Sequence, residues 1–500
     1  MCMRKYTCSC VILVLFARAV CPAEPIEIGT RRELFVDDYL IARIAGGAEL
    51  RLHQPIPREV VLVHDEPWEG TASSSHVVFR DGEIYRMYYR GWNFWFANGM
   101  LHFSKAVVCY AESKDGIHWT KPELGLVEFQ KSKKNNIVHN GIGTLNFSPF
   151  IDTAPVCPPE RRYKAIAGVL SEGGVHVFQS ADGLRWSLMH DQPVLTKGPF
   201  DSVNVAFFNP VEGRYRAYLR TVKEGRRAIR TTTSRDLVHW EPEADLAYMD
   251  SPKEEMYENK VFPYPRAPHI LIGLPARYIE RGWSPSMRAL PDPEQRAARA
   301  ALSERFGTAL TETQLMASRD GVHFKRWNEA FIRPGIERAG TWQYGHQFAA
   351  WQFVETASSL PGAPPELSFY TQERYWEGGG VALRRYTLRL DGFVSARANR
   401  QGGDLLTRPL VFQGRQLELN FSTSAAGSIR VEIQNEAGQP LEGFALAECP
   451  EIFGDTLERV VAWKRGTDLS RLAGKPVRLR FELKDADLYA FRFANAVASP

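Results

Sequence analysis

The stretch SKDGIHW (113–119) recurs as SADGLRW (180–186), SRDLVHW (234–240) and SRDGVHF (318–324). Asp-Gly between two β-rich runs is a hairpin signal. The runs before the turns are KAVVCYAE, GGVHVFQ, RRAIRTTT and TETQLMA, and an aromatic residue opens each run that follows. A fifth hairpin, GVALRRYTLRLDGFVSA (380–396), has Asp391, Gly392 and Phe393 in the same roles.

Two further strand series precede these hairpins. EIYRMYYRGW, RRYKAIAGVL, GRYRAYLRT, PHILIGLPARY and ELSFYTQERY form one; SSSHVVFRDG, SPFIDTAPVC, SVNVAFFNP, YENKVFPYP and YGHQFAAWQF form the other. Turn-forming residues separate them. The unit is four antiparallel strands, repeated five times, which predicts an all-β, five-bladed β-propeller over 32–396. RELFVDDYLIAR (32–43) reads as a strand able to close the ring against the last unit. Uneven spacing between the turns implies loop insertions, and insertions mark functional faces. DPEQRAARAALSERFG (292–307) has helical spacing and reads as a rim or lid element, or as a solvent-facing decoration. After 396 the pattern changes. Short alternating strands with Asn, Gly and Asp turns predict a C-terminal β-sandwich over 400–500.

A net charge of +4 on 500 residues, without a basic stripe, argues against nucleic acid. Residues 1–23 read as a signal peptide: Arg4 and Lys5, then the apolar VILVLFA, then Ala17, Ala19 and Ala23. The expectation is export to the periplasm or cell exterior, with no membrane span after cleavage. Cys109, Cys157 and Cys449 are too few and too scattered for a disulfide framework. No zinc, thiol-redox or phosphate-loop motif occurs, so no metal and no cofactor are expected.

In a propeller, the start of each innermost strand and the end of each second strand open on one face. The strand starts offer Ser74, Ser75, His76, Asp152, Asp201, Asn204, Glu258, Asn259, His346 and Gln347. The strand ends offer Arg90, Trp92, Glu172, Arg220, Arg277, Tyr278, Glu373, Arg374 and Trp376. The loop entering the first unit adds Asp65, Glu66 and Glu69. Acids, arginines and stacking rings in one funnel suit a carbohydrate. Of these, Arg90, Trp92, Arg220, Arg277, Tyr278, Glu373, Trp376 and His346 are the expected substrate contacts. Each acid also has a structural reading. Asp201 can cap backbone at a strand start, Glu258 can pair with Lys260, and Asp152 can form a turn beside Pro155. The aspartate of each repeated turn is structural, because it makes the turn and lies at the other end of the sheet.

With its repeated SKDGIHW-type turns, the chain resembles the five-bladed β-propeller glycoside hydrolases of invertase/levansucrase and arabinanase/xylosidase type. Its LFVDDYLI segment also resembles uncharacterised exported bacterial proteins. The first resemblance implies glycoside hydrolysis by three carboxylates from neighbouring innermost strands. By order, Asp201 corresponds to the transition-state stabiliser and Glu258 to the general acid. Glu69, Asp65 or Asp152 would supply the nucleophile or base. The family's Asn-Asp-Pro and Arg-Asp-Pro motifs have no counterpart here. A non-catalytic carbohydrate-binding propeller is the alternative, and a sialidase using Arg90, Arg220 and Arg277 is a third reading.

Overall fold

The computed structural model describes residues 24–97 and 100–495; the expected signal segment lies outside them. Strands dominate, and the α-helices are short: Pro285–Ala289, Pro293–Leu302 and Glu304–Thr308. No described helix is long and apolar enough to cross a membrane.

Four successive antiparallel meanders carry the repeated turns. The first runs through Ser74–Asp81, Ile84–Gly91, Val107–Ser113 and Trp119–Thr120. The second uses Ser148–Ile151, Tyr163–Ala167, His176–Ser180 and Ser187–Leu188; the third uses Val205–Asn209, Arg214–Lys223, Arg226–Ser234 and Ala244–Asp245. The fourth uses Phe262–Tyr264, Ala267–Gly273, Met316–Ser318 and His323–Arg326, and Ala247–Met249 joins its outer edge in parallel. The fifth sheet takes Val354–Thr356, Glu366–Glu373 and Ala382–Arg389 from its own segment, and Ile56–Val63 from the N-terminal side.

The repeated turn is a fastener. Its serine Oγ accepts an amide from Gly116, Gly183, Leu237 or Gly321, each at 2.9 Å. Its aspartate accepts the next two amides, as Asp182 does from Leu184 and Arg185, both at 2.8 Å. The residue after the aspartate has a left-handed backbone, with φ between 67° and 79° in the four copies. Tyrosines of the adjacent sheets then reach in. Tyr88 donates to Gly183 O at 2.9 Å, Tyr218 to Gly321 O at 3.0 Å and Tyr370 to Gly116 O at 2.5 Å. A Cβ on Gly183 would stand 2.7 Å from the Tyr88 hydroxyl, so this approach requires glycine. Leu237, the one departure from glycine, sits where no described tyrosine reaches its carbonyl; only Trp240 of its own turn donates there.

Contacts link each sheet to the next. Tyr163 donates to Asp81, and Tyr215 donates to Asp152 at 2.8 Å. Ser202 donates to Tyr257 O, and Trp351 to Val261 O at 2.9 Å. The Val78 amide donates to Trp351 O at 3.0 Å, which joins the first sheet to the fifth.

A separate apolar core unites both ends of the chain. Ile26–Gly29, Glu33–Leu34 and Ile41–Leu52 pair with Val394–Thr407, Leu410–Phe412 and Pro476–Ala494. Two sequence expectations are therefore corrected. The 32–43 segment does not close the sheets; it joins the C-terminal strands, and Ile56–Val63 takes the closing place. The run after Asp391 does not fold back on Ala382–Arg389 either. Its turn lacks the leading serine; Arg389 stands at that position. Asp391 is fully buried and bound by Tyr264, Arg266, Arg32 and Asn420, and these partners direct the chain into the terminal strands.

Candidate functional site

A cavity of about 340 Å³ opens where the innermost strands begin, with walls from all five sheets. It contains two acidic side chains, Asp201 and Glu258. Glu258 precedes the innermost strand of the fourth sheet and is buried. Lys260 Nζ lies 3.5 Å from its Oε2. Lys260 is itself buried, on a left-handed backbone with φ of 51°, a conformation that costs energy for a side chain of this kind. Burial pushes the Glu258 carboxyl up; Lys260, Arg90 and Arg220 oppose the shift without cancelling it. Burial likewise pulls the Lys260 ammonium down, and Glu258 offsets part of that. The floor of the cavity thus disfavours charge on both groups.

Asp201 is different. Its side chain is 58% exposed, with Arg220 Nη2 at 3.5 Å. Arg220 is buried, lies 5.2 Å from the Tyr257 ring and leaves Nε and Nη1 without a protein acceptor. Ser202 Oγ donates to Tyr257 O at 2.7 Å and holds the two acid-bearing segments side by side.

The walls are aromatic. Arg90 donates to Ser74 Oγ at 2.6 Å and to Leu145 O at 3.1 Å, and stacks 4.5 Å from the Trp92 ring. Trp92 meets Phe94 at 4.4 Å, and Phe94 meets Trp376 at 5.2 Å. Trp376 packs against Phe306 at 5.1 Å and Tyr344 at 5.7 Å. Its indole Nε1 is buried without a partner. Phe306 and Arg305 come from helix Glu304–Thr308, so the helical insertion forms part of the wall rather than a solvent decoration. Arg299 of helix Pro293–Leu302 pins it by donating to Tyr375 O and Gln343 Oε1, both at 2.6 Å.

Beside Ser74 and Ser75, five of the residues expected to act on or contact the substrate line the cavity: Glu258, Asp201, Arg90, Trp92 and Trp376. The others do not. Asp152 stands at the far end of its strand, just past Ser148–Ile151, where Lys164 and Tyr215 take its carboxylate. Glu69 is buried between Lys121 at 2.6 Å and the Tyr89 hydroxyl at 2.5 Å. Arg277 is held by Glu254, Glu312 and Asn328 O, and Glu373 by Arg338 and Arg384. Against burial, these two arginines hold the Glu373 carboxyl down to about 2. His346 accepts the Trp342 amide, and burial drags its imidazole down to about 3. Tyr278 forms a layer behind the wall, 4.2 Å from Arg227 and 6.1 Å from Tyr257. Arg220 stands behind Asp201.

Sequence reasoning missed Phe94, Tyr257, Tyr344, Tyr375 and the Arg305–Phe306 pair. It misplaced Asp152 because the strand start was read too late. The available signal was asparagine: Asn146, Asn204 and Asn259 each precede an innermost strand and bond neighbouring carbonyls. Aligning Asn146 with Asn204 places Leu145, not Asp152, at the cavity. A larger cavity of about 530 Å³ opens at the opposite end, walled by Phe79, Phe150, Phe207, Phe262 and Phe353, one from each sheet, with Glu355 as its only acid. Among the described residues, no cluster of three His, Cys, Asp or Glu side chains is placed to hold a metal ion.

No family model matches the chain, and no curated protein matches it. Solved structures do. An N-acetylgalactosamine deacetylase from F. plautii, in complex with blood group B trisaccharide, is 13% identical with a TM-score of 0.40, over 68% of this chain and 95% of that one. A family 43 arabinoxylan arabinofuranohydrolase from Bacillus subtilis is 11% identical with a TM-score of 0.40, over 89% and 99%. A fructofuranosidase from Schwanniomyces occidentalis is 10% identical with a TM-score of 0.36, over 88% and 98%. At these scores the likeness fixes neither reaction nor substrate for this chain.

Proposed function

We propose that the five sheets are blades of a five-bladed β-propeller, that both chain ends build an attached β-sandwich, and that the 340 Å³ cavity binds a carbohydrate and hydrolyses its glycosidic bond. One observation carries this reading: two carboxyl groups in contrasting settings share an aromatic-walled cavity. Glu258 is buried and shifted up, which suits a proton donor. Asp201 is open to solvent beside Arg220, where a charge is both solvated and paired. Glu258 gives its proton to the leaving glycosidic oxygen as the C–O bond breaks. Asp201 flanks the positive charge that develops on the sugar, and water supplies the new hydroxyl and gives its remaining proton back to the Glu258 carboxylate. The rings of Trp92 and Trp376 offer faces to apolar sugar surfaces. Residues 1–23 would direct export and be removed.

A second reading has its own support. Lys260 partly neutralises Glu258, and neither Asp152 nor Glu69 supplies a third acid to the cavity. That arrangement suits a non-catalytic carbohydrate-binding module.

A glycan panel read for both binding and new reducing ends tests the choice. Release of reducing sugar supports the hydrolase; binding without release selects the module. Neither binding nor release across pentose and hexose polymers removes both.

A further inference from the structure

Between the second and third strands of the first sheet, a two-stranded ribbon projects beside the cavity: Phe94–Ala97 paired with Met100–Phe103. Side chains alternate across such a ribbon. Phe94 lies opposite Phe103 and Phe96 opposite Leu101, so these four share one face; Trp95 and His102 share the other. The first face continues the cavity wall. Phe94 is buried against Trp92 and Trp376, and Phe103 lies 5.9 Å from Trp92. On this face Phe103 is 62% exposed and Phe96 37%; Trp95 and Met100 on the other face are exposed as well, so continuity with the cavity wall is what distinguishes the first face. Large apolar side chains held in water on a projecting element mark a contact surface.

We propose that this face is a stacking platform for a glycan chain, with one sugar in the cavity and following sugars on Phe103 and Phe96. The inference rests on the carbohydrate reading of the cavity and makes the ligand an oligosaccharide rather than a single sugar. Continuity with the wall through Phe94 and Trp92 argues for one ligand spanning both. The ribbon's opposite face, where Trp95 stacks on His102 at 5.7 Å, supplies an internal control.

The test is calorimetric titration of the whole protein with xylose, arabinose, mannose and galactose and with their homo-oligosaccharides. The oligosaccharides of the preferred sugar should bind more tightly than the monosaccharide. Phe103→Ala and Phe96→Ala should each weaken oligosaccharide binding roughly 2- to 10-fold, the scale of one aromatic contact, and leave the monosaccharide unchanged. Trp95→Ala should match wild type on every ligand. Equal affinity for mono- and oligosaccharide, or Phe103→Ala indistinguishable from wild type, overturns the platform while the cavity reading stands. Failure of every sugar to bind overturns the cavity reading itself, and the platform with it.

Discussion

At their turn ends, the first four sheets close with the same serine, aspartate and aromatic residue. At their cavity ends, the same sheets contribute Ser74, Asn146, Asp201 and Glu258. The turn end is uniform because each copy solves one problem: it satisfies its own amides and, in three copies, offers a carbonyl to a neighbour's tyrosine. The cavity end is varied because a site needs different groups at different angles around one ligand. Repetition therefore marks scaffold in this chain, and departures from it mark the candidate chemistry.

The contrast predicts that cavity variants change function without stability, and turn variants the reverse. Glu258→Gln should lower turnover 10²-fold or more, the usual scale for a lost general acid. Its melting temperature should stay near that of wild type, because glutamine keeps the size of the side chain and the gain from removing a buried carboxyl is offset by the loss of the partner of Lys260. Steady-state assays on the substrate found by the panel, with calorimetric melting alongside, check both halves. Retained turnover would end the assignment of Glu258 as proton donor.

The fourth turn tests the contrast from the other side, because it also anchors the segment around Glu33 and Asp37. Arg319 of that turn pairs with Glu33 and Asp37. Burial raises the Glu33 carboxyl, but His269, Arg319 and Arg31 together hold it down to about 2, against an ordinary 4.5. An acid lowered by folding gives stability that is complete above the unfolded value and lost as pH falls through the folded one. Up to about 3 kcal/mol should therefore disappear between about pH 4.5 and 2. Urea unfolding at stepped pH should show this slope in wild type and a flatter one in Glu33→Gln.

Smaller effects belong to single turns. Asp182→Ala removes the acceptor for two amides and the partner of Arg185, and should cost about 2 kcal/mol in chemical denaturation. Tyr88→Phe removes only the hydroxyl bonded to Gly183 O and should cost about 1 kcal/mol. Neither should alter ligand affinity. A change in affinity from either variant would show that the two ends are coupled through the sheet, which the comparison denies.

Much of the scaffold was legible in the sequence. The turns at Ser113, Ser180, Ser234 and Ser318 lie where the repeat put them, and the strands on either side follow. The cavity was legible in part. Asp201, Glu258, Arg90, Trp92 and Trp376 could be placed because each sits at a predictable distance from a turn or strand end. Asp152 could not, since the insertion before it shifts the strand start and a carboxylate looks alike at either end of a strand. Glu69 was misread because its partners, Lys121 and Tyr89, lie 52 and 20 residues away in the chain. The ribbon at 94–103 left only a run of aromatic residues, which reads equally well as buried core.

The sequence by itself determined the hairpins, because Ser, Asp and Gly act on amides within three residues of themselves and need no distant partner. It also determined that one unit recurs around the chain. Only the tertiary structure decided which strand completes the fifth sheet, where Ile56–Val63 took the place expected of the residues after Asp391. Tertiary packing likewise divided the acids into cavity residues and sheet fasteners, and brought Phe306 and Phe94 to one wall. Such choices depend on which distant side chains offer a carboxylate its partner or a ring its contact, and no window of local sequence contains both members of the pair.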